Sequence, residues 1–217
     1  MKLYTHPIST TCRPIMMFAA EQGIPLDMQV VDLFTGEHTK APYGAINPNH
    51  LIPVLEDGDF QLTESSAIMK YLAEKAGSPL YPKDLQQRAR VNERMDWINT
   101  QLGREFCYGV VYPQIFPHHK RRSAEAQEAT LQWGKEHAQR WLKVLDENIL
   151  GPGNNYLCGD SLTIADFYGA AFLTLGEVVG CRFSDYPNVQ RWLGRMKALK
   201  SWKQVNETLD GVVAANK

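Results

Sequence analysis

Residues 78–84, Ser-Pro-Leu-Tyr-Pro-Lys-Asp, divide the chain into two stretches of different hydrophobic period. Pro79 and Pro82 can neither donate to a strand ladder nor continue a helix, so the segment reads as a linker. Ahead of it, short apolar runs alternate with helical patterns. Behind it, every long segment repeats at three- and four-residue spacing. At 217 residues the chain is long enough for two domains, each of about 100 residues. The expected division is residues 1–78, a linker at 79–85, and residues 86–217, with an α/β unit followed by an all-α one.

In the first part, "KLYTH" reads as a strand, and Thr10 and Thr11 offer hydroxyls to cap a helix running through Phe18 and Ala19. Gly23 stops that helix and Pro25 prevents its resumption. "DMQVVDL" reads as a second strand, followed by a long loop. "IPVLEDGDFQLTES" places two apolar runs around Asp57-Gly58, a strong hairpin signal. "SSAIMKYLAEKAG" closes the unit as a helix, giving the order β-α-β, loop, β-β-α.

In the second part, Gln86 to about Phe116 forms one long helix or two abutting ones, with a candidate bend at Gly103. Leu131, Gly134, Ala138, Trp141, Leu145 and Ile149 mark another helix. "SLTIADFYGAAFLTLGEVVG" is apolar nearly all round, which predicts a central buried helix. Two shorter helices follow, in "NVQRWLGRMKAL" and "SWKQVNETL".

Charge excludes several function classes. Lys and Arg number 23 against 24 Asp and Glu, so no global field attracts nucleic acid or an anionic membrane. The four cysteines contain no C-x-x-C pair, and no histidine has zinc-ligand spacing, so no metal is expected. The chain opens in a strand-like segment without a charged-then-apolar leader, and the expected location is the cytoplasm. "HHKRR" (residues 118–122) is either a solvated loop or a local anion-binding edge.

Three short stretches carry chemistry. In "HPISTTCRP" the first helix begins just after Ser9-x-x-Cys12, where free N–H groups and the positive dipole end stabilise an anion. A serine there can donate a hydrogen bond to a ligand thiolate but cannot itself do redox work. In "HLIPVL", Pro53 stands between a loop and a strand. Its peptide bond is either an ordinary trans one or a cis one that turns the Ile52 backbone towards a peptide-like ligand. In "TESSAI", Glu64 and Ser65 precede a helix, where N–H groups and a hydroxyl can hold a carboxylate while Glu64 accepts from an ammonium. Each is a cap or turn when taken singly. Together they describe a pocket for a short zwitterionic peptide containing cysteine.

Over essentially its whole length the chain resembles the glutathione transferase family, and within it the serine-using delta and theta classes and their bacterial relatives. The resemblance rests on the order and spacing of "PISTTCR", "GEH", "NPNHLIPVLEDGD", "ESSAI" and "SLTIADF". It implies a thioredoxin-like first domain, glutathione as co-substrate, a small hydrophobic electrophile and a homodimer. It also implies roles. Ser9 would hydrogen-bond the glutathione sulfur, and His38 and His50 would reach the glycyl end. The Ile52 backbone, before a cis Pro53, would pair with the cysteinyl unit, while Glu64 and Ser65 would hold the γ-glutamyl head. Delta-class proteins commonly carry arginine next, where this chain has Ser66. The γ-glutamyl carboxylate would then lack a cation unless the partner subunit supplies one, with Arg104 as the candidate and Asn99 as a further contact across subunits.

The remaining residues keep two readings each. Tyr108, Tyr112 and Phe116 recur at four-residue spacing, as a core stripe or, with Ile8, as the wall of an electrophile site. Cys12 is a buried structural thiol or the nucleophile of a glutaredoxin-like thiol transferase. A non-catalytic binding protein on the same fold is a further alternative. Thr163 and Asp166 have capping-box spacing ahead of the apolar run, so Asp166 reads as a cap rather than a catalytic acid.

Overall fold

The computed structural model describes residues 1–216. Strands β1 (Lys2–Thr5), β2 (Asp27–Val30), β3 (Val54–Asp57) and β4 (Phe60–Leu62) form one sheet in the order β2-β1-β3-β4. β1 runs parallel to β2 and antiparallel to β3, with Leu3 opposite Leu55. Alternation explains the faces: Leu3 and Thr5 are buried while Lys2 and Tyr4 are half-buried. The Asp57-Gly58 turn joins β3 to β4, with Gly58 at φ +61°.

Helix α1 (Arg13–Gln22) crosses between β1 and β2 and ends at Gly23, left-handed at φ +67°. The threonine caps expected for it do not form. Ser9 Oγ instead accepts from the Cys12 N–H at 3.3 Å, and Thr11 Oγ1 donates to the Ile52 carbonyl at 3.2 Å. The N-cap residue is Cys12, whose side chain makes no capping bond; Ser9 takes its N–H, and Thr11 ties the loop before β3. The expected strand "DMQVVDL" ends at Val30. The long loop after it contains a 3₁₀ turn (Glu37–Thr39) and helix α2 (Ala41–Ile46). Pro42 in the first turn of α2 was its sequence signal. Helix α3 (Ser65–Lys75) completes the unit.

The rest is helical. α4 (Leu85–Trp97) continues through π-helical turns (Ile98–Leu102, Arg104–Val111) into α5 (Tyr112–Ile115). Gly103 keeps a helical φ of −64° between the two π-helical turns. It is small because a Cβ there would come within 2.5 Å of the Phe172 ring. α6 (Ala124–Val144) packs across this rod where Gly134 meets Gly109. α7 (Ile164–Thr174) is buried at all eleven positions, as its apolar sequence predicts. α8 (Pro187–Lys197) and α9 (Lys200–Ala215) flank it. Among the described residues no helix is long and apolar enough to cross a membrane.

α1 joins the two layers through an unusual contact. Arg13 is fully buried and, among the described residues, pairs with no carboxylate. Its guanidinium donates to Thr174 Oγ1 at 3.1 Å, Asn206 Oδ1 at 2.9 Å and the Ala171 carbonyl. Burial lowers its pKa to about 10. The first residue of the helix that follows Ser9 is therefore held by α7 and α9 of the helical part.

Candidate functional site

A cavity of about 200 Å³ opens between the sheet domain and the long helical rod. Ser9 sits on its wall, at the end of β1 and the start of α1. The loop is held by its own backbone: Ser9 N–H donates to the His6 carbonyl, and Arg13 N–H to that of Ser9, both at 3.0 Å. Ser9 Oγ lies 3.2 Å from Thr11 Oγ1. The hydroxyl thus faces the cavity in the field of a ten-residue helix whose first side chain is a buried cation. Cys12 turns the other way. It is fully buried, and burial raises its thiol pKa.

The Ile52–Pro53 peptide bond is cis, and both residues line the cavity beside Ser9. The loop ahead of them is fixed by Tyr43 Oη and Asn47 Nδ2, which donate to the Leu51 carbonyl at 2.9 and 2.7 Å. Glu64 and Ser65 lie on the same wall at the start of α3. Glu64 holds φ at +64°, an uncommon conformation for a side chain of its size, and such a residue costs about 1–3 kcal/mol. Its carboxylate makes no capping bond to α3. Ser65 Oγ donates to the Tyr168 hydroxyl at 3.4 Å.

His38 is buried on the cavity wall, and its Nδ1 has no hydrogen-bond partner. Burial, with His118 and His50 nearby, lowers its pKa. His50 does not line the cavity. It sits behind His38, its Nδ1 3.0 Å from the His38 carbonyl oxygen, in a space that a Cβ on Gly44 would fill. Asn99 lines the cavity from the helical side, whereas Arg104 points out to solvent and pairs with Glu105 at 2.9 Å. Tyr108, Tyr112 and Phe116 all line the cavity and form an edge-to-face ladder with ring centroids 4.7 and 5.5 Å apart. Ile8 is buried and stands outside the wall.

Several residues on that wall escaped the sequence reading, among them Asn49, Tyr168 and two adjacent histidines. His118 and His119, on the 3₁₀ turn Pro117–His119, face the cavity rather than bulk solvent alone. Their signal was Pro117, which ends the helix and folds the next residues back over Phe116. A larger groove, about 620 Å³, lies between α8, α9 and residues 180–184 and shares no residue with this cavity.

The structural cap is complete. Asp166 Oδ2 accepts from Thr163 N–H at 2.8 Å and Thr163 Oγ1 at 3.0 Å. Asp166 Oδ1 accepts from Leu157 N–H at 2.8 Å and Trp192 Nε1 at 3.0 Å.

Comparison with known proteins places the chain in a family. The family model for the glutathione S-transferase N-terminal domain matches residues 8–75, and that for the C-terminal domain matches residues 106–200. Human glutathione S-transferase theta-1 is 33% identical over 201 residues, covering 91% of this chain and 82% of the human protein. The chain belongs to the glutathione S-transferase family. It is an enzyme of that class, with the family's thioredoxin-like sheet domain and helical domain. Human glutathione transferase theta-2, solved in complex with glutathione, superposes with a TM-score of 0.84 at 30% identity, over 99% of this chain and 89% of that one. A delta-class glutathione transferase of Nilaparvata lugens gives 0.79 at 30% identity, over 100% of this chain and 99% of that one.

Proposed function

We propose that this transferase activates glutathione through Ser9 and delivers its sulfur to small hydrophobic electrophiles. One observation carries the reading: the Ser9 hydroxyl stands at the α1 N-terminus on the wall of the same cavity as Ile52, Glu64 and Ser65. A peptide laid along that wall pairs its cysteinyl unit with the Ile52 backbone and its γ-glutamyl head with Glu64, Ser65 and the α3 N-terminus. His38 takes the glycyl carboxylate, with His50 holding it in place. Residues 1–78 bind glutathione, residues 86–217 supply the electrophile wall of Tyr108, Tyr112 and Phe116, and residues 79–85 join them.

Energetics suit a modest device. A free thiol with pKa near 8.5 is only about 3% thiolate at pH 7. Lowering it by about two units makes it mostly thiolate and requires about 2.7 kcal/mol. A charge-assisted hydrogen bond from Ser9 and the α1 terminus supply that. The thiol proton leaves to solvent. The sulfur lone pair then forms the bond to carbon as halide departs, or as a conjugated double bond shifts its electrons onto oxygen and the enolate takes up one proton. Enzyme side chains stay covalently unchanged.

The enzyme works as a cytoplasmic homodimer. Arg104 is already paired within its own chain, so the γ-glutamyl carboxylate relies on Ser65 and the helix terminus, with Asn99 of the cavity wall as the further candidate contact. Burial of Cys12 counts against the thiol transferase reading.

The test is an ultraviolet titration of the thiolate of bound glutathione, comparing the parent with Ser9→Ala. The expected outcome is a thiol pKa about two units below its free value, restored in Ser9→Ala. An unshifted value in the parent removes the mechanism. Sedimentation at twice the chain mass supports the dimer, and sedimentation at the chain mass rules it out.

A further inference from the structure

The electrophile end of the cavity contains an imidazole with no structural duty. His119 is half-buried, and its ring centroid lies 5.2 Å from that of Tyr112 and 5.4 Å from that of Tyr108. His118 is next to it at 4.5 Å and reaches across the cleft to His38 at 6.2 Å. The turn that carries His119 is fixed by its backbone N–H, which donates to the Phe116 carbonyl at 3.0 Å. Among the described residues no side chain hydrogen-bonds its ring. An imidazole packed by aromatic faces, with free nitrogens and open to the same cavity as Ser9, can hand a proton to a bound molecule.

We propose that His119 is a further catalytic residue, which protonates the oxygen where negative charge collects when glutathione sulfur adds to a conjugated carbonyl compound. The inference rests on the transferase reading above. In the step, the thiolate sulfur bonds to the β-carbon and the carbon–carbon π pair shifts towards the carbonyl. The carbonyl oxygen takes the imidazolium proton to give an enol, which tautomerises to the ketone. His119 regains its proton from solvent, so the net reaction is addition of the thiol. Displacement of halide places its charge on a leaving ion that needs no proton, and gains nothing from His119.

The surroundings set the pH response. His118 and Arg121 flank His119 in sequence, Tyr108 and Tyr112 face it from the long rod, and Glu64 stands across the cleft. Burial, His118 and Arg121 together lower the His119 pKa. Its protonated fraction therefore falls with rising pH earlier than that of an ordinary histidine, while the glutathione thiolate fraction rises. Conjugate addition should show a bell-shaped kcat/KM profile, and halide displacement a single ascending limb.

The test compares trans-phenylbutenone with para-nitrobenzyl chloride in the parent, His119→Phe, His119→Gln and Tyr108→Phe. His119→Phe should lower kcat/KM for the enone about 100-fold, at least tenfold more than for the chloride, and abolish the alkaline limb. His119→Gln keeps an N–H donor that cannot titrate, and should recover part of the enone rate without that limb. Equal losses on both substrates, an unchanged enone rate, absence of enone turnover in the parent, or a selective enone loss in Tyr108→Phe would each overturn the proposal. Thiolate titration of bound glutathione reports separately on Ser9: a shifted thiol with no substrate partition defeats this inference alone, whereas an unshifted thiol defeats the underlying reading.

Discussion

Removing the Asp166 carboxylate should cost more stability than any other single polar change in the helical domain. Asp166→Ala leaves the N–H groups of Leu157, Thr163 and Trp192 without their acceptor, at a site with no solvent exposure. Each buried, unmatched donor costs about 1–3 kcal/mol, while the Thr163 hydroxyl can rotate to another partner. Three donors at the middle of that range, less partial relaxation, give about 4 kcal/mol. That is a large share of the 5–15 kcal/mol that holds a typical domain. With a urea m-value of about 3 kcal/mol/M, the midpoint falls by about 1.3 M.

Urea unfolding followed by tryptophan fluorescence and far-ultraviolet circular dichroism measures this, with Trp192 as a local reporter. Burial works against the same carboxylate and raises its pKa from 3.8 to about 6. The folded state thus binds a proton between those values that the unfolded state does not. This contribution grows as pH falls from about 6 to about 4 and is absent above about 7. The rise is worth about 3 kcal/mol. Asp166→Asn removes the titration, so its deficit against the parent should widen by up to that amount on acidification from about pH 7 to about pH 4. A loss below about 1 kcal/mol for the alanine variant would refute the donor count. A deficit for the asparagine variant that stays constant with pH would refute the burial argument.

Two other substitutions separate packing from chemistry. A Cβ on Gly134 would collide with the backbone of Gly109 where α6 crosses the long rod. Gly134→Ala should therefore cost about 2–3 kcal/mol and lower Tm by roughly 4–12 °C; an unchanged Tm in calorimetry would mean the crossing yields without cost. Cys12→Ala, at a fully buried thiol on the far side of the Ser9 turn, should leave the pKa of bound glutathione unshifted relative to the parent. A return of that pKa towards the free value would bring the Cys12 mechanism back.

Much of the chain could be read locally. The Pro-bounded segment at 78–84 coincides with the end of the sheet-bearing part. Asp57-Gly58 made its hairpin, and the apolar run after Thr163 became the buried helix. These features depend on residues close in sequence, so pattern and turn chemistry suffice to reveal them. The cavity wall of Tyr108, Tyr112 and Phe116 was only half legible. Four-residue spacing puts the three on one face without saying whether that face meets core or cleft.

Other features depended on contacts that no local pattern carries. Thr11, a local cap candidate, instead donates to the Ile52 carbonyl, 41 residues away, and Ser9 takes the Cys12 N–H. Gly103, a candidate bend from its residue type, also leaves the space that the Phe172 ring fills. The run "HHKRR" read as a solvated loop or an anion-binding edge, and only the fold brought His118 opposite His38.

The sequence by itself determined the two-part architecture and most element types, and it singled out the Ser9, Ile52–Pro53 and Glu64-Ser65 stretches that come to line one cavity, since period and residue type are local. Tertiary structure alone decided which rings face Ser9, that His50 supports His38 from behind, and that a buried arginine locks α1 to α7 and α9. The physical reason is the range of the interaction. A cap or a turn is closed by neighbours a few residues apart, whereas a cleft is closed by side chains whose positions only the packed core can set.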